Sequence, residues 1–158
     1  MSSGHDTAYA GALPILCIKI GGKALAETSV VGALAREMAE IESKMRCILI
    51  HGGGAEVSRV STHFGFEPRF VDGVRMTTAD EMDVVDMVLA GKVNKYLVRL
   101  LNTAGVRAVG LSGNDGKLII GERIAPDSHT GKVASCDPAV LQVLTDAGMV
   151  PVVCSTAM

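Results

Sequence analysis

The chain of 158 residues has no tryptophan, two tyrosines and three phenylalanines. Proteins that hold single-stranded nucleic acid stack bases on aromatic rings, so this scarcity argues against that class. A basic surplus is also missing: 15 Lys and Arg stand against 17 Asp and Glu, a net charge of −2, with the two signs interspersed. Without a basic face to pair with phosphates, duplex nucleic acid is an equally poor partner. No apolar run approaches the ~20 residues that span a bilayer. The start "MSSGHDTAYAGALP" has no basic segment leading into an apolar one, so it does not read as a secretory signal. Residues 1–13 read as a flexible arm and 14–158 as a single folded unit of ordinary domain size. The four cysteines, Cys17, Cys47, Cys136 and Cys154, show neither CxxC nor zinc-ligand spacing. Three of them lie in apolar runs, where cysteine usually acts as a small buried hydrophobe. His5, His51, His63 and His129 form no ligand set. The expectation is therefore no metal site and a reduced, cytoplasmic setting.

What the chain does contain is an alternation. "ILCIKI", "CILI", "RAVGL", "KLIIG" and "VPVVC" are short, continuous apolar runs, the pattern of strands covered on both faces in a parallel sheet. Helical patterns lie between them. Val30, Leu34, Met38, Ile41 and Met45 recur at three- and four-residue spacing, with Arg36, Glu37, Glu40 and Lys44 on other faces. A second helix is predicted from Ala55 to a glycine cap near Gly65. A third opens at Thr78 and Glu81, which have capping-box spacing, and runs to Gly105 with a kink expected at Gly91. A fourth starts at Asp137-Pro138 and stops at Gly148. The polar stretch from Glu122 to Asp137 is expected to include a hairpin. Strands alternating with helices of this length predict an α/β fold built on a mainly parallel sheet.

The third helix is apolar around much of its circumference. Met82, Val85, Leu89, Val93 and Leu100 suit a face against the sheet, yet Val84, Met87, Val88, Leu97 and Leu101 lie largely elsewhere. Two stripes predict either deeper burial within the fold or, with somewhat more weight, cover by a second copy of the chain over residues 78–104.

The chemistry is concentrated at two strand ends. Lys19 precedes Gly21-Gly22, and His51 precedes Gly52-Gly53-Gly54, each where a strand enters a helix. Ligands of open α/β sheets bind at the carboxyl ends of strands. There, helix-start N–H groups favour anions, and glycine lets the backbone approach closely. Neither loop fits GxxxxGK[ST] or GxGxxG, so Walker-type and dinucleotide readings are weak. Lys19 is the sharper clue, since an ammonium within a buried strand is costly unless an anion pairs with it. Arg75, just before the capped helix, is the residue type for bidentate carboxylate recognition; a surface arginine or a bridge to Asp72 is equally open.

The segments "IKIGGKAL", "ILIHGGGAEVS", "FVDGVRMTTADEMDVVDMVLAGKVNKYLV", "AVGLSGNDG" and "VPVVCS" occur in this order, and with them the chain resembles the N-terminal part of the acetylglutamate kinases of the amino acid kinase family. The resemblance runs from Pro14 to Ser155, and the stretch from Arg75 to Val98 is its most specific part. It implies a three-layer αβα sandwich. It also implies transfer of the γ-phosphoryl of MgATP, a co-substrate, to the side-chain carboxylate of N-acetyl-L-glutamate in arginine biosynthesis.

Carried over by position, Lys19 would stabilise the transferring phosphoryl group, and Gly21, Gly22 and Gly52 would line the phosphates. Gly53 and Gly54 would contact the acylated amino acid, Arg75 would hold its α-carboxylate, and the 78–104 helix would form a homo-oligomer. The family pattern continues past "VPVVC" into a nucleotide-binding half that these 158 residues do not contain, so a substrate-binding portion without efficient turnover is expected. A kinase for acetylaminoadipate or a similar acylamino acid is a close variant. A non-catalytic dimerising module is the reading from a different class.

Overall fold

The computed structural model describes residues 13–158, so the arm expected over residues 1–13 falls outside the described part except for Leu13. Four parallel strands form the central sheet: β1 (Ile15–Ile20), β2 (Arg46–His51), β5 (Ala108–Leu111) and β8 (Val150–Cys154), in spatial order β1-β2-β8-β5. Between β1 and β2 the chain makes one turn of helix, α1 (Gly22–Leu25), and then α2 (Thr28–Ile41). After β2 come α3 (Gly54–His63) and a small hairpin of β3 (Arg69–Val71) and β4 (Val74–Met76). The long helix follows as α4 (Ala79–Asp86), a π-helical stretch over Met87–Val93, and α5 (Asn94–Thr103). A second hairpin, β6 (Ile119–Arg123) with β7 (Gly131–Cys136), and α6 (Ala139–Asp146) complete the chain before β8.

The path from β1 through β2 to β5 advances across the sheet in one direction, and right-handed crossovers place its helices on one face. The return from β5 to β8 reverses that direction and puts α6 on the opposite face. The result is the expected three-layer αβα order with a parallel sheet. The main core lies on the first face. Ile20, Cys47, Leu49, Val150, Val152 and Cys154 meet Val31, Ala35 and Met38 of α2 and Leu97 and Leu101 of α5 there. Each such fully buried aliphatic side chain contributes about 1.5–3 kcal/mol through loss of apolar contact with water.

Three sequence readings are corrected here. First, continuous apolar runs suggested strands covered on both faces, and that holds fully only for β8, buried at every residue. β1 is an edge strand with alternating exposure: Ile15, Cys17 and Lys19 lie on an open face, and Ile15 is 58% exposed. With α6 alone on that side, nothing among the described residues covers it. Lys19 is therefore exposed rather than buried, and Cys17 does not behave as the buried hydrophobe expected of it, although Cys47 and Cys154 do. Second, the strand within "KLIIG" starts at Ile119 and belongs to the antiparallel β6–β7 hairpin, outside the parallel sheet.

Third, most of the second apolar stripe of the long helix is satisfied internally. Val84, Val88, Leu97 and Leu101 are buried within the chain, and Met87, at 52% exposed, is the one member left in solvent. The excess thus reflects a helix wedged between α2, α3 and the sheet, so it does not by itself require a second copy. At Gly91, the position of the expected kink, the helix departs from α geometry and continues in π-helical form.

Candidate functional site

Because β1 and β2 are hydrogen-bonded neighbours running in parallel, with Ile20 opposite His51, their carboxyl ends deliver the two glycine loops side by side. A Cβ placed on Gly22 would lie 3.8 Å from Gly54 N and 3.9 Å from Ala55 N, so the two loops face each other across a gap about one methyl group wide at the first turn of α3. A Cβ on Gly21 would lie 3.6 Å from Lys19 Nζ, which shows the ammonium folded back over the first loop. Lys19 forms no ion pair with any described residue. The structure brings Lys19, Gly21 and Gly22 of the first loop beside Gly52, Gly53 and Gly54 of the second.

The second loop rests on the π-helical stretch. A Cβ on Gly53 would meet Leu89 Cδ2 at 2.8 Å and Val93 Cγ2 at 3.4 Å, so the backbone packs directly on those two side chains. A π-helical insertion widens the helix locally and is common where a functional surface must be shaped. Here it turns Leu89 and Val93 toward the loop. Lys92, from the same stretch, pairs with Glu56 in the first turn of α3, as does Arg59. Hydrogen bonds from both cations hold the Glu56 carboxyl down at about 2.

Below the loop, His51 and Asn94 are both 1% exposed. His51 Nδ1 lies 2.9 Å from Gly52 O, and Asn94 Nδ2 lies 3.1 Å from His51 Nε2. The Asn94 amide also donates to Val152 O at 2.8 Å and Leu111 O at 3.3 Å, which ties α5 to β2, β8 and β5. Burial pushes the imidazole below its ordinary value, against a smaller opposing effect of the Gly52 carbonyl.

Arg75 reaches the same region from β4. The β3–β4 turn is Asp72-Gly73, both at positive φ (49° and 80°), the Asp-Gly signature of a tight hairpin. That signal was readable in "FVDGVRM", yet the hairpin was missed. The turn directs Arg75 back over α3: Nη1 donates to Glu81 Oε1 at 3.0 Å, Nη2 donates to Ser58 Oγ and Gly54 O, and the guanidinium stacks 4.9 Å from the Phe70 ring centre. Glu81 is 3% exposed. The expected capping box is thus only half formed. Thr78 Oγ1 accepts from Glu81 N, but the Glu81 carboxylate is diverted to Arg75. The pairing of Arg75 is with Glu81 and not Asp72. Residues 128–130 buttress the hairpin from outside, with His129 N donating to Thr77 O at 2.7 Å and Thr130 Oγ1 to Arg75 O.

Ser58, Asn94 and Thr130 were not singled out from sequence, and Leu89 was read only as part of the sheet-facing stripe. Glu81 had a local signal, its capping spacing, and that signal pointed to a different job. Among the described residues, no group of three or more His, Cys, Asp or Glu side chains converges to hold a metal ion. No described helix is long and apolar enough to cross a membrane.

Comparison with known proteins places the chain in a family. The chain is 41% identical over 145 residues to the acetylglutamate kinase of Synechococcus sp. (strain WH7803), a match covering 90% of this chain and 50% of that protein. It is 41% identical over 147 residues to the chloroplastic acetylglutamate kinase of Arabidopsis thaliana, covering 90% of this chain and 42% of that protein. The chain therefore spans about half the length of these curated relatives. Among solved structures, smu.665 from Streptococcus mutans UA159 superposes with a TM-score of 0.81 at 23% identity, over 89% of this chain and 58% of that one, which shows a shared fold. The amino acid kinase family pattern matches residues 14–157, and over that span the chain belongs to the amino acid kinase family.

Proposed function

We propose that this chain is the acylamino-acid-binding portion of an acetylglutamate kinase, an enzyme that passes the ATP γ-phosphoryl to the side-chain carboxylate of N-acetyl-L-glutamate in arginine biosynthesis. The observation that carries the reading is the side-by-side placement of the two glycine loops at the ends of β1 and β2, with the Lys19 ammonium folded back over Gly21. Two backbone cradles and one cation lie at adjoining strand ends, where two anionic groups would have to be brought together. A carboxylate is ionised at neutral pH and needs no general base; the obstacle is its repulsion by the phosphoryl oxygens. Fixed N–H dipoles and an ammonium offset that repulsion without reorganising during the reaction.

In this reading Lys19 neutralises the transferring group, and Gly21, Gly22 and Gly52 line the phosphates. Gly53 and Gly54 donate to the acylamino acid. Arg75, held by Glu81 through Nη1, offers its Nη2 side to the α-carboxylate in exchange for Ser58 and Gly54 O. ATP enters as the magnesium complex, a co-substrate whose adenine half is held by the part of the enzyme beyond this chain. The same proposal includes a cytoplasmic location and self-association through the outer face of the long helix, where Met87 is exposed.

Isothermal titration of the chain with N-acetyl-L-glutamate and, separately, with MgATP tests the reading. Binding of the acylamino acid, with weak or no nucleotide binding and no turnover, is the expected pattern. Binding of neither would transfer the chain to the interaction-module class, and tighter binding of acetylaminoadipate would reassign the substrate. Light scattering at micromolar protein would reject self-association if only monomer appears.

A further inference from the structure

The buried pair beneath the second loop has a role that the site chemistry above does not use. Both His51 and Asn94 are 1% exposed, and a polar pair so deeply buried costs stability unless its hydrogen bonds are made. Asn94 fixes its own orientation, because its amide nitrogen faces two backbone carbonyls, Val152 O at 2.8 Å and Leu111 O at 3.3 Å, and carbonyls only accept. The –NH2 group is therefore the part of Asn94 that lies 3.1 Å from His51 Nε2, so Nε2 accepts and carries no proton. The remaining proton sits on Nδ1, which donates to Gly52 O at 2.9 Å. One tautomer satisfies every partner of the ring.

The Gly52–Gly53 peptide is trans, like every described peptide bond, so its C=O and N–H point in opposite directions. Holding the Gly52 carbonyl inward on the imidazole therefore turns the Gly53 N–H outward. Among the described residues no group accepts from that N–H. The Gly53 backbone cannot sink to escape, because Leu89 and Val93 lie directly under it.

Room for the Asn94 side chain comes from Gly110: a Cβ there would fall 1.9 Å from Asn94 Oδ1. That oxygen is buried without a hydrogen-bond partner, so the amide is held at the expense of its own acceptor. A purely structural asparagine would gain by satisfying both ends. This one satisfies the end that faces His51.

We propose that His51 and Asn94 are positioning residues of the glycine site: held by Asn94, the His51 imidazole turns the Gly52 carbonyl inward and thereby aims the Gly53 N–H into the space between the two glycine loops, where an anionic group of the ligand accepts it. The ligand part of this statement rests on the acylamino-acid reading of the loop; the aiming of the N–H does not.

Two measurements separate these parts. In the wild-type chain, long-range nitrogen–proton NMR of the imidazole shows a protonated Nδ1 and an unprotonated Nε2 at neutral pH; a protonated Nε2 overturns the proposal without any variant. Residual dipolar couplings then follow the Gly53 N–H vector in His51→Phe, which removes both ring hydrogen bonds, and in His51→Asn, which keeps a donor at the Nδ1 position. The vector reorients in the phenylalanine variant and returns toward its original direction in the asparagine variant.

Titration with N-acetyl-L-glutamate accompanies the couplings. Losing a hydrogen bond to a charged acceptor weakens binding by roughly 10- to 100-fold in His51→Phe, with recovery in His51→Asn. A Gly53 vector unmoved in folded His51→Phe overturns the positioning role. So does unchanged affinity in that variant beside a lowered melting temperature, the pattern of a merely structural histidine. A vector that moves in a chain whose wild type binds no acetylglutamate supports the aiming and rejects the substrate reading instead. Should His51→Phe not fold, the tautomer and the His51→Asn couplings decide alone.

Discussion

Gly53→Ala isolates the contact between the second glycine loop and the π-helical stretch. The backbone at Gly53 has φ of 167°, outside the left-handed region, so the cost of a side chain comes from space rather than conformation. The new methyl would stand 2.8 Å from Leu89 Cδ2 and 3.4 Å from Val93 Cγ2. Ordinary carbon–carbon contact begins near 3.5–4.0 Å, so either the loop rises or Leu89 moves by roughly 1 Å. Leu89 is 6% exposed in a packed core and has little freedom to do so. Overpacking of this kind costs about 1–3 kcal/mol. Leu89→Ala alone costs about 2–5 kcal/mol through the cavity it leaves, but it removes the atom that the methyl meets.

The two changes should therefore be strongly non-additive. Urea denaturation of both single variants and the double variant should give a favourable coupling of about 1–3 kcal/mol, with Gly53→Ala nearly free of cost in the Leu89→Ala background. Affinity for N-acetyl-L-glutamate should fall in Gly53→Ala and partly recover in the double variant, because the lifted loop can settle again. Additive energies within about 0.5 kcal/mol, or a Gly53→Ala chain as stable as the parent, would refute the claim that the loop is seated on this helix.

Other changes probe separate parts of the structure. Asp86 is partly buried, one carboxylate oxygen has no partner, and burial followed by Asp83 pushes its carboxyl up against an opposing hydrogen bond from Thr156. A raised acid stabilises the fold when protonated and loses that contribution as pH climbs through its folded value. Asp86→Asn should then raise the melting temperature at pH 7 by the equivalent of about 1 kcal/mol, a gain that shrinks in acid. Glu56 has the opposite sign. Its carboxyl is lowered to about 2, so its contribution is present above the ordinary value of 4.5 and is lost as pH falls between them. Glu56→Gln should cost under about 1 kcal/mol at pH 7, since the partners are solvent-exposed, and urea midpoints of the two proteins should converge toward pH 3. Lys19→Ala should leave the urea midpoint within about 0.5 kcal/mol, because the side chain is exposed. It should also weaken the amide shifts that inorganic pyrophosphate induces at Gly21 and Gly22 by roughly tenfold.

The sequence by itself determined the α/β class, the positions of the main helices and the two glycine loops. Each of these is written in local chemistry: a period of three to four, a capping threonine at Thr78, a glycine stop at Gly105 and Gly148, and an apolar run ending in glycine. It also suggested that Lys19 belongs with the loops, which rests on sequence adjacency alone. The tertiary structure decided everything that depends on which strand lies beside which. The order β1-β2-β8-β5 makes the two loops neighbours, leaves β1 on the edge so that Lys19 is exposed, and lets Asn94 reach three strands from one helix. Glu81 illustrates the limit: its spacing from Thr78 signals a cap, but the hairpin turn at Asp72-Gly73 brings a guanidinium within reach, and a buried charge pairs with the opposite charge rather than with a neutral amide. The long helix makes the same point, since a pattern of apolar residues records that a surface is covered and carries no information about whether the cover comes from this chain or another.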